Sequence, residues 1–217
     1  MRVVIVALIS ASFIVCTSAK VKTTKKKPSD APVVTLDYLL YEPDGETAMW
    51  ISEFNSSLDK VYQTASRWLR KEIYYNLKLQ TGNIAQVDEY TSSKVDDLRK
   101  KGKEVNPFDA LHYVIKEAKE LTDNPSDILC LVTKTPLTIY KGGFGLYHPL
   151  CKDVVPLILT YDSKNITATG ESLGFLIRDT LNISNVYTWV VKTSEEERKQ
   201  RFDNCQIQRQ LKKETVM

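Results

Sequence analysis

The hydrophobic pattern of this chain changes period along its length, and that change limits the folds open to it. Residues 32–41, Pro-Val-Val-Thr-Leu-Asp-Tyr-Leu-Leu-Tyr, are rich in β-branched and aromatic side chains and predict a strand. From Leu58 onward Val61, Ala65, Trp68, Leu69, Ile73 and Leu77 fall on one stripe at helical spacing. Thr81-Gly82 closes that unit, and Asn83 to Tyr90 predicts a short strand. Asn106-Pro107 sets an N-cap before a proline at the first helical position, and Phe108, Leu111, Val114, Ile115, Ala118 and Leu121 follow as an amphipathic face. Residues 127–133 and 154–160 are apolar runs of strand length. Pro156, inside the second, suits an edge or a strand start. Residues 169–181 predict a helix, Tyr187 to Val191 an extended or turn segment, and Ser194 to Lys213 a charged helix interrupted near Phe202-Asp203. Turn or loop signals stand at Pro43-Asp44-Gly45, at 100–103, at 123–127 and at Gly142-Gly143-Phe144-Gly145. Strands that alternate with helices predict an α/β class.

At the amino end, Arg2 precedes the apolar run Val3 to Val15, and Thr17-Ser18-Ala19 follows as a small-residue cleavage signal. The run is short for a membrane span, and no later segment is long and apolar enough to be one. The expected organisation is a signal peptide over 1–19, a Lys-rich disordered leader over 20–31 and a single domain over 32–217, secreted and monomeric. The formal net charge is +3. Lys20, Lys22, Lys25, Lys26 and Lys27 against Asp30 concentrate positive charge in the leader and leave the body slightly acidic. A basic tail on a near-neutral body is not the footprint of a nucleic-acid-binding domain.

Beyond Cys16, three cysteines remain: Cys130, Cys151 and Cys205. Cys130 lies within an apolar strand-like run and is expected to be a buried thiol. Cys151 and Cys205 lie in loop or helix-edge contexts and are the better disulfide pair. Sequons at Asn55, Asn165 and Asn182 suit a glycosylated surface, with Asn182 expected to be partly shielded.

Catalytic motifs are scarce. The chain has 2 histidines, His112 and His148. It contains no His-Glu-x-x-His, no Gly-x-Ser-x-Gly, no P-loop and no dinucleotide-binding glycine pattern. His112 sits beside an apolar helical face, with Asp109 and Glu117 its only nearby carboxylates, and reads as a boundary residue. His148 precedes Pro149, and with Cys151 it forms a His-x-x-Cys that is a poor zinc signal alone.

The order of segments over residues 32–212 resembles the reprolysin-like (adamalysin-type, metzincin) secreted zinc metalloproteases of the kind abundant in tick saliva. Val33-Val-Thr-Leu-Asp-Tyr38 resembles the family's opening strand, and the helix through Trp68 to Leu77 its first helix. Pro107 to Leu121 and then Asp127 to Thr133 resemble the second helix and the central strand. Gly145-Leu-Tyr-His-Pro-Leu-Cys151 is similar to the family's substrate-contacting edge strand, which ends in a disulfide cysteine. Phe202-Asp-Asn-Cys205 with Ile207 resembles the family's carboxyl-terminal tail. The resemblance implies a twisted, mostly parallel sheet with an antiparallel edge strand, packed on long helices.

It also implies zinc on a His-Glu-x-x-His-x-x-Gly-x-x-His helix, and here the chain departs from the family. The equivalent stretch is Gly170-Glu-Ser-Leu-Gly-Phe-Leu-Ile-Arg-Asp-Thr-Leu-Asn182. Aligning Leu173-Gly174 puts the ligand positions at Glu171, Phe175 and Leu181, the catalytic glutamate at Ser172 and the turn glycine at Arg178. Sliding by one residue keeps Glu171 as the base but puts the ligands at Gly170, Gly174 and Thr180. Trp189 stands where the family has its Met-turn methionine. Phenylalanine and leucine offer zinc no lone pair, so zinc is expected to be lost and no cofactor is expected. Without the ion no bound water is activated. A lone base supplies only about 10²–10⁴-fold. Leu173, Phe175, Leu176, Leu181 and Trp189 are expected to fill the emptied site as apolar core.

The first reading is therefore a secreted, catalytically inactive metalloprotease-like protein that binds host or extracellular proteins. An active secreted zinc endopeptidase with a rebuilt site around His148, Glu171 and Asp179 is the alternative. A third reading is an unrelated ligand binder of lipocalin type, which would be nearly all strand. The length leaves no room for the pro-region and the Cys-rich region that often flank the family's catalytic domain, so latency through a cysteine switch is not expected.

Overall fold

A computed structural model describes residues 31–41, 47–100, 105–120, 126–146, 150–183, 185–203 and 205. The signal peptide, the Lys-rich leader up to residue 30, the Pro43-Asp44-Gly45 turn, His148 and the part of the expected 194–213 helix beyond residue 205 lie outside the described residues.

Five strands form one sheet: β1 (Val33–Tyr41), β2 (Lys78–Gln86), β3 (Ile128–Thr133), β4 (Gly143–Gly145) and β5 (Val155–Thr160), in the order β2-β1-β3-β5-β4. β1 runs parallel to β2 and β3, and β3 parallel to β5. β4 closes one edge antiparallel to β5. The helices α1 (Thr47–Ile73), α2 (Glu89–Lys100), α3 (Pro107–Glu120) and α4 (Ile166–Thr180) pack on the sheet, and residues 195–203 are also helical. The result is a three-layer α/β arrangement.

The strand register explains the layers. Leu36, Tyr38 and Leu40 of β1, Ile128, Cys130 and Val132 of β3, and Val155, Leu157 and Leu159 of β5 share one core with α1 and α4. Leu39, Tyr41, Leu129, Leu131 and Ile158 point the other way, into a second core with Val95 of α2 and Ala110, Leu111 and Val114 of α3. A central strand buried on both faces needs apolar side chains at every position. That is why β3 and β5 read as unbroken apolar runs rather than alternating ones.

Several elements differ from the sequence reading. α1 begins at Thr47, because Trp50 and Phe54 extend its buried stripe ahead of Leu58. β2 spans Lys78–Gln86 rather than starting at Asn83, and Glu89 already opens α2, a helix the periodicity did not predict. α2 buries only Thr91 and Val95, too few apolar positions to give a stripe. The glycine-dense segment turns at Lys141-Gly142, where the Gly143 N–H donates to the Tyr140 carbonyl at 3.1 Å, and runs on as the edge strand β4, with Gly143 at φ +132. A Cβ at Gly143 would lie 2.2 Å from the Ile158 carbonyl oxygen, so the close pairing requires glycine. Thr188–Lys192 forms a short π-helix where the sequence suggests an extended or turn segment. Pro156 lies in an interior strand, at its second residue, where the three-residue β4 no longer pairs. The helices and the open, mostly parallel sheet are incompatible with a lipocalin-type barrel.

Two carboxylates fix the sheet where regular pairing breaks. The β1–β2 register shifts between Leu36 and Tyr38. There Asp37 Oδ1 accepts from the Asn83 backbone N–H at 2.6 Å and from Ser126 Oγ at 2.7 Å. A Cβ on Gly82 would stand 2.2 Å from that oxygen, so Gly82 is where the irregular strand must carry no side chain. Asp127 Oδ2 accepts from the Thr35 N–H at 2.7 Å and from Thr35 Oγ1 at 2.8 Å, tying the start of β3 to β1.

Candidate functional site

α4 carries the positions at which the resemblance places the chemistry, so its faces decide what they can do. Asn165 caps the helix, its Oδ1 accepting from the Ala168 N–H at 3.1 Å. Gly170 and Gly174 face α1. A Cβ at Gly170 would meet Thr64 Cβ at 2.6 Å and the Val61 carbonyl oxygen at 2.8 Å, and one at Gly174 would meet the Trp68 ring at 2.9 Å. In the shifted register, then, two of the three ligand positions are buried against a neighbouring helix. Ser172 and Leu176 lie beneath β4: a Cβ on Gly142 would meet Ser172 Oγ at 2.4 Å, and one on Gly143 would meet Leu176 Cδ1 at 3.1 Å. The helix thus runs along the edge-strand side of the sheet.

In the first register Glu171 and Phe175 share the outward face, and Leu181 turns inward after the helix ends. Glu171 is exposed, Phe175 is 45% exposed and Leu181 is buried. The three do not converge. Leu173, Leu176, Leu181 and Trp189 are buried as expected for an apolar filling, but Phe175 is not. It packs edge-to-face on Trp68 at the surface instead. Its ring lies 6.2 Å from the Trp68 ring, and the Arg178 guanidinium lies 4.4 Å from its centroid and 5.5 Å from that of Trp68. Asp179 Oδ1 holds the guanidinium, accepting from Nε at 3.2 Å and from Nη2 at 2.9 Å. The second ligand position and the turn-glycine position are therefore joined in an aromatic–cation stack.

Beneath α4, Trp189 is buried in the π-helix and donates its indole N–H to the Ile73 carbonyl at 2.8 Å. Tyr75 packs 6.4 Å from it and stacks on Phe202 at 5.3 Å. Arg201 Nη1 donates to the Leu181 carbonyl at 3.0 Å. Cys151 and Cys205 are joined in a disulfide, and Cys130 is a free, buried thiol whose pKa burial pushes well up.

A zinc site does not fit these residues. Glu171 is the one group with a lone pair for zinc at the three aligned positions. Asp179, invoked for a rebuilt site, is held by Arg178, and its proposed partner His148 lies outside the described residues. His112 is exposed on α3. Among the described residues, Asp127, Cys151 and Cys205 bring three possible ligand atoms within 4.8 Å of one another. Both sulfurs belong to the disulfide, and Asp127 is engaged by Thr35.

A feature that sequence reading missed flanks β4. Phe144 of the edge strand contacts Phe108 of α3 at 5.4 Å and stacks on Tyr140 at 5.1 Å. Phe108, Ile139, Tyr140 and Leu146 are all exposed, so an apolar rim borders the free edge of the sheet. Phe108 starts the amphipathic face of α3 in the sequence, yet at the helix's amino end it is exposed. The other sequence signal available was Ile139-Tyr140 beside a glycine-dense segment. The three sequon asparagines Asn55, Asn165 and Asn182 are exposed, so Asn182 is not shielded; its φ of +51 puts it in a left-handed turn.

No protein family and no curated protein matches the chain. Among solved structures, metalloproteinase-II from Bacteroides fragilis aligns with 82% of this chain at 15% identity and a TM-score of 0.44. A chaperone–substrate complex aligns with 64% of it at 9% identity and a TM-score of 0.37. This chain covers 55% of the metalloproteinase chain and 23% of the other, so it spans about half of one and a quarter of the other. Function has to be read from the side chains.

Proposed function

We propose that this is a secreted metalloprotease-like protein of metzincin lineage, reprolysin-like in the order of its elements, that has lost catalysis and acts by binding extracellular proteins. The observation that carries the reading is the stack of Phe175, Trp68 and Arg178, clamped by Asp179, on the face where zinc ligands are expected. Phe175, Trp68 and the Arg178 guanidinium offer zinc no lone pair at those positions. The position of α4 after β5, alongside an antiparallel edge strand, supports the lineage. The apolar rim of Phe108, Tyr140, Phe144 and Leu146 supports binding along β4, since a free strand edge offers backbone donors and acceptors to an extended segment. The sequence signals for secretion, the exposed sequons at Asn55, Asn165 and Asn182 and the Cys151–Cys205 disulfide fit an extracellular setting. No helix among the described residues is long and apolar enough to cross a membrane.

The test pairs turnover with capture. The purified chain is incubated with gelatin and casein, with and without a chelator, and used to capture proteins from plasma and matrix extracts. The reading predicts no chelator-sensitive cleavage and a captured protein that Tyr140→Ser combined with Leu146→Ser releases. Chelator-sensitive cleavage overturns it in favour of an active endopeptidase.

A further inference from the structure

We propose that the cavity at the carboxyl ends of β3 and β5 binds a small zwitterion of the α-amino-acid class. This site is separate from the outward face of α4 and from the β4 rim. Six residues line it: Glu53 of α1, Lys134 just past β3, and Tyr161, Asp162, Ser163 and Lys164 between β5 and α4. The lining lies at the carboxyl ends of parallel strands, the end of an open α/β sheet at which ligands bind. The volume is about 270 Å³. That is below the roughly 300–1,000 Å³ of sites for drug-sized molecules. The occupant is therefore a molecule of few heavy atoms.

The lining sets its charge. Two ammonium groups and two carboxylates balance, so a ligand of net charge gains on one side what it loses on the other. A molecule carrying both charges satisfies both. The Glu53 carboxylate and the Lys164 ammonium are exposed and form no ion pair with each other. Other groups are placed in advance. Asp162 Oδ1 accepts from the Lys164 N–H at 2.9 Å and from the Asn165 N–H at 3.2 Å, which fixes that carboxylate. The Lys134 ammonium sits 5.0 Å above the Trp50 ring, and that ring packs 5.3 Å from Tyr161. A site already ordered loses less on binding. Two buried polar groups on the same elements, Trp50 Nε1 and Thr160 Oγ1, have no hydrogen-bond partner among the described residues.

Burial raises the pKa of the Tyr161 phenol; a hydrogen bond with Ser57 opposes this, and the Glu53 and Asp162 carboxylates add to the rise.

The experiment titrates the purified chain with glycine, L-alanine and L-serine, and separately with propionate and isopropylammonium, each of which carries one charge. Backbone amide shifts of Tyr161 to Lys164 are followed by NMR. The expected result is a saturable shift with at least one amino acid, and binding weaker by about tenfold or more for both single-charge probes, a tenfold change being 1.4 kcal/mol. Lys164→Met and Glu53→Gln, both at exposed positions, are each expected to weaken amino-acid binding about tenfold without moving the unfolding midpoint. The proposal is overturned if none of the three amino acids saturates, if a single-charge probe binds as tightly, or if both variants bind as the parent does.

Discussion

Trp189 and Ile73 stand 116 residues apart and share one buried hydrogen bond, indole N–H to carbonyl, at 2.8 Å. It ties the end of α1 to the segment beneath α4, at the position where the resemblance places a methionine. A methionine has no N–H to give, so the tryptophan supplies a link as well as volume. Trp189→Phe is expected to cost about 1–3 kcal/mol in urea unfolding, the penalty of a buried carbonyl left without its donor. Trp189→Ala is expected to cost about 3–5 kcal/mol through the added cavity.

Gly170 and Gly174 separate by the same reasoning about space. In an exposed helix, Gly→Ala gains about 1 kcal/mol. At Gly170 the new methyl meets backbone and a β-branched side chain at 2.8 and 2.6 Å, which cannot withdraw. Overpacking of this kind costs about 1–3 kcal/mol. Gly170→Ala is therefore expected to destabilise. At Gly174 the new methyl meets the Trp68 ring at 2.9 Å and the Ala65 carbonyl oxygen at 3.2 Å, a milder overlap, so Gly174→Ala is expected to cost less than Gly170→Ala. Thermal unfolding of the two variants side by side checks the contrast.

The fold was legible where burial leaves a period and illegible where it does not. β3 and β5 were readable because strands covered on both faces must be apolar throughout, β1 because it is rich in β-branched and aromatic side chains, and α4 because its buried stripe is regular. α2 was missed because two buried side chains make no stripe. At the candidate site, the absence of imidazoles at 171, 175 and 181 could be read directly. What replaced them could not: the Trp68–Phe175–Arg178 stack joins two helices, and no sequence pattern brings residue 68 to residue 175. The zwitterion cavity joins α1 to two strand ends and is equally nonlocal.

Cysteine chemistry gives a direct count. Burial holds the Cys130 thiol protonated, and the other two described cysteines are bonded to each other. With the chain from Lys20 onward, a thiol reagent is expected to find none in the native state, one in denaturant and three after reduction. Removing the bridge by Cys151→Ala with Cys205→Ala opens a sequence separation of 54 residues. The expected cost is about 2–4 kcal/mol.

Tyr41 reports on alkaline stability. Burial and its hydrogen bond to the Asp96 carboxylate push its pKa up to about 12, against an opposing effect of Arg99. The protonated phenol is the form the fold favours. Its contribution is complete below the unfolded value of about 10 and is lost as pH rises from there toward 12. Unfolding midpoints measured between pH 9 and pH 12 (about the window of the shift) are expected to fall more steeply for the parent than for Tyr41→Phe.

The central claim is that the outward face of α4 holds an aromatic–cation stack in place of a metal. It is tested most directly by metal analysis of the chain purified without chelator and equilibrated with zinc, beside Phe175→His. The account predicts well under one zinc per chain for the parent, with no change in unfolding midpoint on adding zinc. One tightly held zinc per chain that raises the midpoint, and that is lost on Glu171→Ala, would contradict it.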